Sequence, residues 1–126
     1  MSLLHNIMGN ASEMNQSDAM QLISEFIVEG EDIVVAYKLI RDKIIFTTER
    51  LVLVDIQGIT GSKVSFTSYA YSSIKSFTME SAGTFDLDCE IKLHAAGIGE
   101  ISLKFSKGTD LKPIYKYLSK YILRDN

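Results

Sequence analysis

Asp86, Asp88, Glu90 and, further along the same alternation, His94 are the residues whose types and spacing come nearest to chemistry. Such a set could hold a divalent cation or supply an acid and a base. Alternate side chains on one strand face lie about 7 Å apart, however, and a divalent cation needs several oxygens converging on one point. A straight strand does not converge them, and no glycine-hinged ligand loop adjoins. A glycosidase-type pair would need a cleft between its two acids, which this pattern does not supply. The favoured reading is a solvated acidic strand face, open to water or to a partner.

The remaining reactive residue types are isolated. His5 lies near the terminus and His94 at a strand end, and neither has a Ser or Cys partner set by a motif. Cys89 falls on the inward set of its strand between Asp88 and Glu90. It reads as a small hydrophobe, because a reactive thiolate needs an exposed, electropositive setting. The loop Gln57-Gly58-Ile59-Thr60-Gly61-Ser62 has the glycines of a phosphate cradle. It lacks the Gly-Lys-Ser/Thr continuation and the following helix, so a hairpin turn is the simpler reading. No catalytic signature emerges, and neither a metal nor a cofactor is expected.

Composition narrows the partners. The chain has 126 residues, enough for one domain with one good core. Thirteen Lys and Arg against sixteen Asp and Glu give a net charge of −3. Nucleic-acid binding needs clustered cations, so nucleic acid is excluded as the main partner, and a polybasic membrane anchor is disfavoured. A single cysteine forms no disulfide within the chain. No apolar run approaches the roughly 18 residues of a spanning helix, and the N-terminus lacks the pattern of a signal peptide. A cytoplasmic protein is expected.

The elements that would carry these residues follow from apolar periodicity. Residues 1–30 read as a helical extension, with a helix starting at Ser17 or Asp18. Met20, Leu22, Ile23, Phe26 and Ile27 form its stripe, and Gly30 ends it. Residues 31–126 read as the main domain. Strands are expected over 32–40, 44–48 and 51–56, joined by short turns as an antiparallel meander. These three are apolar on both faces, which signals cover on both sides. Ile45, Val52 and Val54 are therefore candidate subunit or partner surface, together with Asp86, Asp88 and Glu90.

Further strands are expected over 63–69, with Val64 and Phe66 inward, and over 74–80, where Ile74 and Phe77 slip phase and imply a β-bulge. Phe85, Leu87, Cys89, Ile91 and Leu93 alternate inward on the next strand, and Ile101, Leu103 and Phe105 on the last. A closing helix follows, capped by Thr109 or Asp110, with Pro113 in its first turn and Leu111, Ile114, Tyr115, Leu118 and Ile122 on its apolar face.

Seven antiparallel strands closed by an amphipathic helix resemble the pleckstrin-homology (PH) fold, a sandwich or partly open barrel capped by one helix. Asp42-Lys43-Ile44-Ile45-Phe46-Thr47, Arg50-Leu51-Val52-Leu53-Val54-Asp55, Gln57 to Lys63, Gly83-Thr84-Phe85-Asp86-Leu87-Asp88 and Phe105 to Asp110 are similar to the short bacterial PH-like domain family. The resemblance covers roughly residues 30 to 123. It implies a non-enzymatic module and a cyclic homo-oligomeric ring, fivefold in the short form, which presents polar surface to an as yet unknown protein partner. The alternative is a membrane-surface module for acidic lipid headgroups. The short loop Leu39-Ile40-Arg41-Asp42-Lys43 disfavours it, since Asp42 interrupts the cations. Basic residues gathered on one rim near Arg41, Lys63 and Lys75 would favour it.

Overall fold

The computed structural model describes residues 11–81, 89–106 and 108–123. They form two compact units: Ser12–Ala70, and Ala11 with the residues from Tyr71 onward. The class is the expected one, mainly β in two antiparallel sheets with a C-terminal helix. Among the described residues, no helix is long and apolar enough to cross a membrane.

The first unit is a five-stranded sheet in sequence order, β1 (Ser12–Glu13), β2 (Ile33–Lys38), β3 (Lys43–Thr47), β4 (Arg50–Gln57) and β5 (Lys63–Ala70). β-Branched residues fill β2 to β4, where a pleated, buried surface suits them. The turns between β2 and β3 and between β3 and β4 are closed by Leu39 N–H to Asp42 C=O at 2.9 Å and by Arg50 N–H to the Thr47 hydroxyl at 2.9 Å. Ile44, Phe46, Leu51 and Leu53 are buried, and so are Ile45, Val52 and Val54 on the opposite face. Both faces are thus covered, as the lack of alternation requires.

Helix α1 (Gln16–Ile23) provides the second cover. Ala19 and Ile23 pack with Ala36, Ile45, Val52 and Val54, and Met14, Leu22, Ile27, Ile33 and Ile56 fill the margin. Asn15, not Ser17 or Asp18, is the N-cap, and its side-chain oxygen accepts from Ser17 N–H at 2.7 Å. The helix ends at Ile23, well before Gly30, and Phe26 is exposed rather than part of the packed stripe. The first ten residues of the expected helical extension lie outside the described residues.

β5 corrects the sequence expectation. Val64 and Phe66 are exposed, whereas Ser65 and Thr67 are half-buried and Tyr69 is buried. Val54 pairs with Phe66 and Ile56 with Val64. Val64 and Phe66 therefore share the face under α1, at the margin where its cover runs out.

The second unit is the sheet β6 (Ile74–Ser81), β7 (Cys89–Ala95) and β8 (Gly99–Phe105), preceded by a 3-10 turn over Tyr71–Ser73. The β6–β7 register shifts between Ile74 and Ser76, the irregularity that the phase slip implied. Ile91, Leu93, Ile101, Leu103 and Phe105 are buried as alternation predicts. Phe85 to Asp88 lie outside the described residues. Helix α2 (Lys112–Leu118) runs on into a π-type segment, Ser119–Leu123. Leu111 occupies the cap position, not Thr109 or Asp110, although the Asp110 carboxylate accepts from Lys112 N–H at 3.1 Å. Ile114 and Leu118 are buried; Tyr115 is substantially exposed rather than packed away.

Candidate interaction site

Ile45, Val52 and Val54 come together in one cluster, but that cluster is the core beneath α1. The reading of these three as outward contact surface is corrected accordingly: the apolar surplus of β2 to β4 is covered within its own unit. Ile45 faces Val52 across the β3–β4 ladder, and Val54 faces Lys43.

Glu90 belongs to the other unit. It is half-buried, stands opposite Glu80 and Lys104 in its ladders, and accepts a hydrogen bond from the Ser102 hydroxyl. Asp86 and Asp88 lie outside the described residues, so the acidic face is described only at Glu90. Among the described residues, no group of three or more His, Cys, Asp or Glu side chains is placed to hold a metal ion. Cys89 and His94 are half-buried. The ammonium of Lys92 is raised in pKa mainly by Glu80, whose carboxylate lies 3.4 Å away.

A polar site that the sequence did not reveal lies between the α1–β2 connection and the β3–β4 turn. Glu31 is buried, and Arg50 donates to both its carboxylate oxygens, Nε at 2.9 Å and Nη2 at 2.8 Å. The Thr47 hydroxyl donates at 2.5 Å and Val28 N–H at 3.1 Å. Burial pushes the Glu31 pKa up, but the bonds from Thr47, Arg50 and Val28 and the Arg50 charge outweigh it, and the net shift is downward. Gly30 makes the approach possible, since the chain turns there at φ 87°, a conformation glycine adopts without penalty.

Exposed surface in the first unit has two parts. One is apolar: Phe26, Val28, Val64 and Phe66 are 58, 54, 43 and 40% exposed, and the Phe26 and Phe66 rings stand 4.8 Å apart. The other is the end of the sheet where two turns meet. Arg41 Nη2 donates to Gly58 C=O at 2.7 Å, and Asp42 accepts from Ile56 N–H at 2.9 Å. Ile40 and Ile59, one on each turn, are fully exposed. Lys38 and Lys63 flank the turns. Burial holds the Lys43 ammonium below its usual pKa, against the pull of Asp42 and with Lys38 adding to it. Arg41 and Lys63 thus lie at one end of this sheet, while Lys75 belongs to the other unit.

In the second unit the α2 side of β6 is aromatic. Phe77 meets Tyr115 edge-on at 5.1 Å, and Tyr71, Tyr117 and Tyr121 form a second group, with Tyr117 and Tyr121 4.4 Å apart.

The sequence and structure have close counterparts. The family model described as "Bacterial PH domain" matches residues 2–122. The chain is 40% identical over 121 residues to the uncharacterized Bacillus subtilis protein YjqA, covering 94% of this chain and 97% of that protein. It is 35% identical over 115 residues to the uncharacterized protein YozO of the same organism, covering 91% and 98%. Among solved structures, a DUF1696 family protein with a pleckstrin-homology domain from Shewanella loihica superposes with a TM-score of 0.80 at 40% identity, covering 90% of this chain and 97% of that one. A pleckstrin homology domain from Shewanella amazonensis gives 0.70 at 41% identity, with 93% and 95% covered.

Proposed function

The chain belongs to the bacterial PH domain family and has a PH-like fold, and from that premise we propose that it is a non-enzymatic module that assembles as a cyclic homo-oligomer, a pentamer, and binds another protein. The observation that supports assembly is the exposed apolar patch of Phe26, Val64 and Phe66, in which the two Phe rings stand 4.8 Å apart, with exposed Val28 two residues beyond Phe26. Contiguous apolar surface of this kind marks interaction sites on soluble proteins. It replaces Ile45, Val52 and Val54 as the subunit contact. A ring needs a heterologous contact, in which this patch meets a different surface of the next copy. Phe66→Asp tests the reading: the variant should keep its circular-dichroism spectrum and lose mass in light scattering. An unchanged mass would remove the patch from the contact.

A second reading, a membrane-surface module, is favoured by one specific observation. Ile40 and Ile59 stand fully exposed on turns tied together through Arg41, with Lys38 and Lys63 beside them. Aliphatic tips ringed by cations suit an anionic bilayer surface. Cosedimentation with phosphatidylglycerol vesicles separates the two readings. The scaffold reading predicts none; binding abolished by Ile40→Ser with Ile59→Ser would favour the membrane.

A further inference from the structure

β6 is the least covered strand of its sheet. It pairs with β7 along one edge, and among the described residues no strand pairs with its other edge. Lys75, Ser76, Thr78, Met79 and Glu80 are all exposed. β6 is eight residues long, and an edge without a partner strand among the described residues is a ready template for an added strand.

The edge has an apolar shelf beside it. Phe77 and Met79 lie on the face whose ladder partners, Leu93 and Ile91, are fully buried, yet Met79 is 45% exposed. Tyr115 of α2 stands against Phe77 and is itself 39% exposed. Beyond Tyr115, α2 and its π-type continuation carry Lys112, Lys116 and Lys120, all exposed and spaced four apart, so that they form one row on the helix. Lys75 adds a fourth cation at the start of β6. These four cations outnumber the acidic groups beside them, Glu80, which pairs with Lys92 at 3.4 Å, and Asp110, which accepts from Lys112 N–H. The surface around the shelf is therefore positive on a chain whose net charge is −3.

We propose that the outer edge of β6, with α2 beside it, is the docking site for an extended acidic segment of a partner protein. This rests on the reading of the chain as a protein-binding module and specifies the partner's chemistry. The segment adds to β6 as a strand, so that main-chain hydrogen bonds hold it while alternate side chains are read. An apolar side chain sits on Met79 and Tyr115. Carboxylates two residues to either side reach the lysine row. The spacings agree: the row repeats about every 6 Å along the helix, and alternate side chains of a strand about every 7 Å.

The probe is an acetylated, amidated heptapeptide of threonines with leucine at its centre and glutamate two residues to either side. Its control carries lysine in place of glutamate. Amide resonances and hydrogen exchange of the full chain are followed during titration. The glutamate peptide should shift and protect amides in 75–80, and its affinity should fall about tenfold from low to high salt. Lys112→Glu with Lys116→Glu should abolish binding, as should Met79→Asp, with the fold kept. Three outcomes would overturn the proposal: equal binding of the lysine peptide, shifts confined to other residues, or β6 amides already protected in the free protein by a second copy. The mass is measured in the same samples. A ring that ignores the peptide refutes the docking site alone, and a monomer that binds it refutes the ring alone.

Discussion

Glu31 and Arg50 form a two-point ion pair, Nε and Nη2 of the guanidinium each donating to one carboxylate oxygen of a side chain with no solvent exposure. The pair fastens the segment after α1 to the β3–β4 turn, and so helps hold the helix over Ile45, Val52 and Val54. Removing one partner of such a pair leaves the other uncompensated. Arg50 keeps a quarter of its side chain in water, so Glu31→Gln should cost about 2–4 kcal/mol in urea denaturation, below the full cost of a wholly buried pair.

The same pair makes a pH prediction. The Glu31 pKa is depressed below 4.5 in the folded chain. Its stabilising contribution is present above the ordinary value and is lost as pH falls through the depressed one. The stability gap between the native chain and Glu31→Gln should therefore be constant near neutrality and close progressively below pH 4.5. A gap that widens on acidification would contradict the assignment.

Val52 and Leu53 point to opposite faces of β4, and both are buried. A lysine at either position should unfold the first unit, since each would carry a charge into a packed interior. This separates core from contact: Phe66→Asp changes mass, whereas Val52→Lys and Leu53→Lys abolish the cooperative thermal transition. A folded, dissociated Val52→Lys chain would return that face to the subunit contact.

Leu118 is fully buried in the second unit. Leu118→Ala should cost about 2–5 kcal/mol, the range for truncating a large core side chain. A loss below about half a kcal/mol would mean that α2 is not docked.

The strand meander is legible because β-branched runs and short turns leave β2, β3 and β4 few alternatives. The bulge in β6 is legible because Ile74 and Phe77 cannot share a face without one. Apolar residues on both faces of β4 reveal that Val52 and Val54 are covered, but leave two covers open, a neighbouring copy or the N-terminal helix; the cover is α1, some thirty residues upstream, and alternation carries no such distance. On β5 the pattern gives two sets of side chains without saying which faces solvent, and Phe66 lies where the helix cover ends. The apolar spacing sets the end of α1 too late, because Phe26 and Ile27 continue it past Ile23. Glu31 leaves no pattern at all: it is one carboxylate after a glycine, and its partner Arg50 is assigned to it only by the fold.

The solution mass of the native chain at micromolar concentration tests the central claim most directly. Light scattering should give about five times the 14.1 kDa chain mass, independent of moderate dilution. A mass of 14.1 kDa at full solubility would contradict the assembly and leave Phe26 and Phe66 as the surface of a monomer.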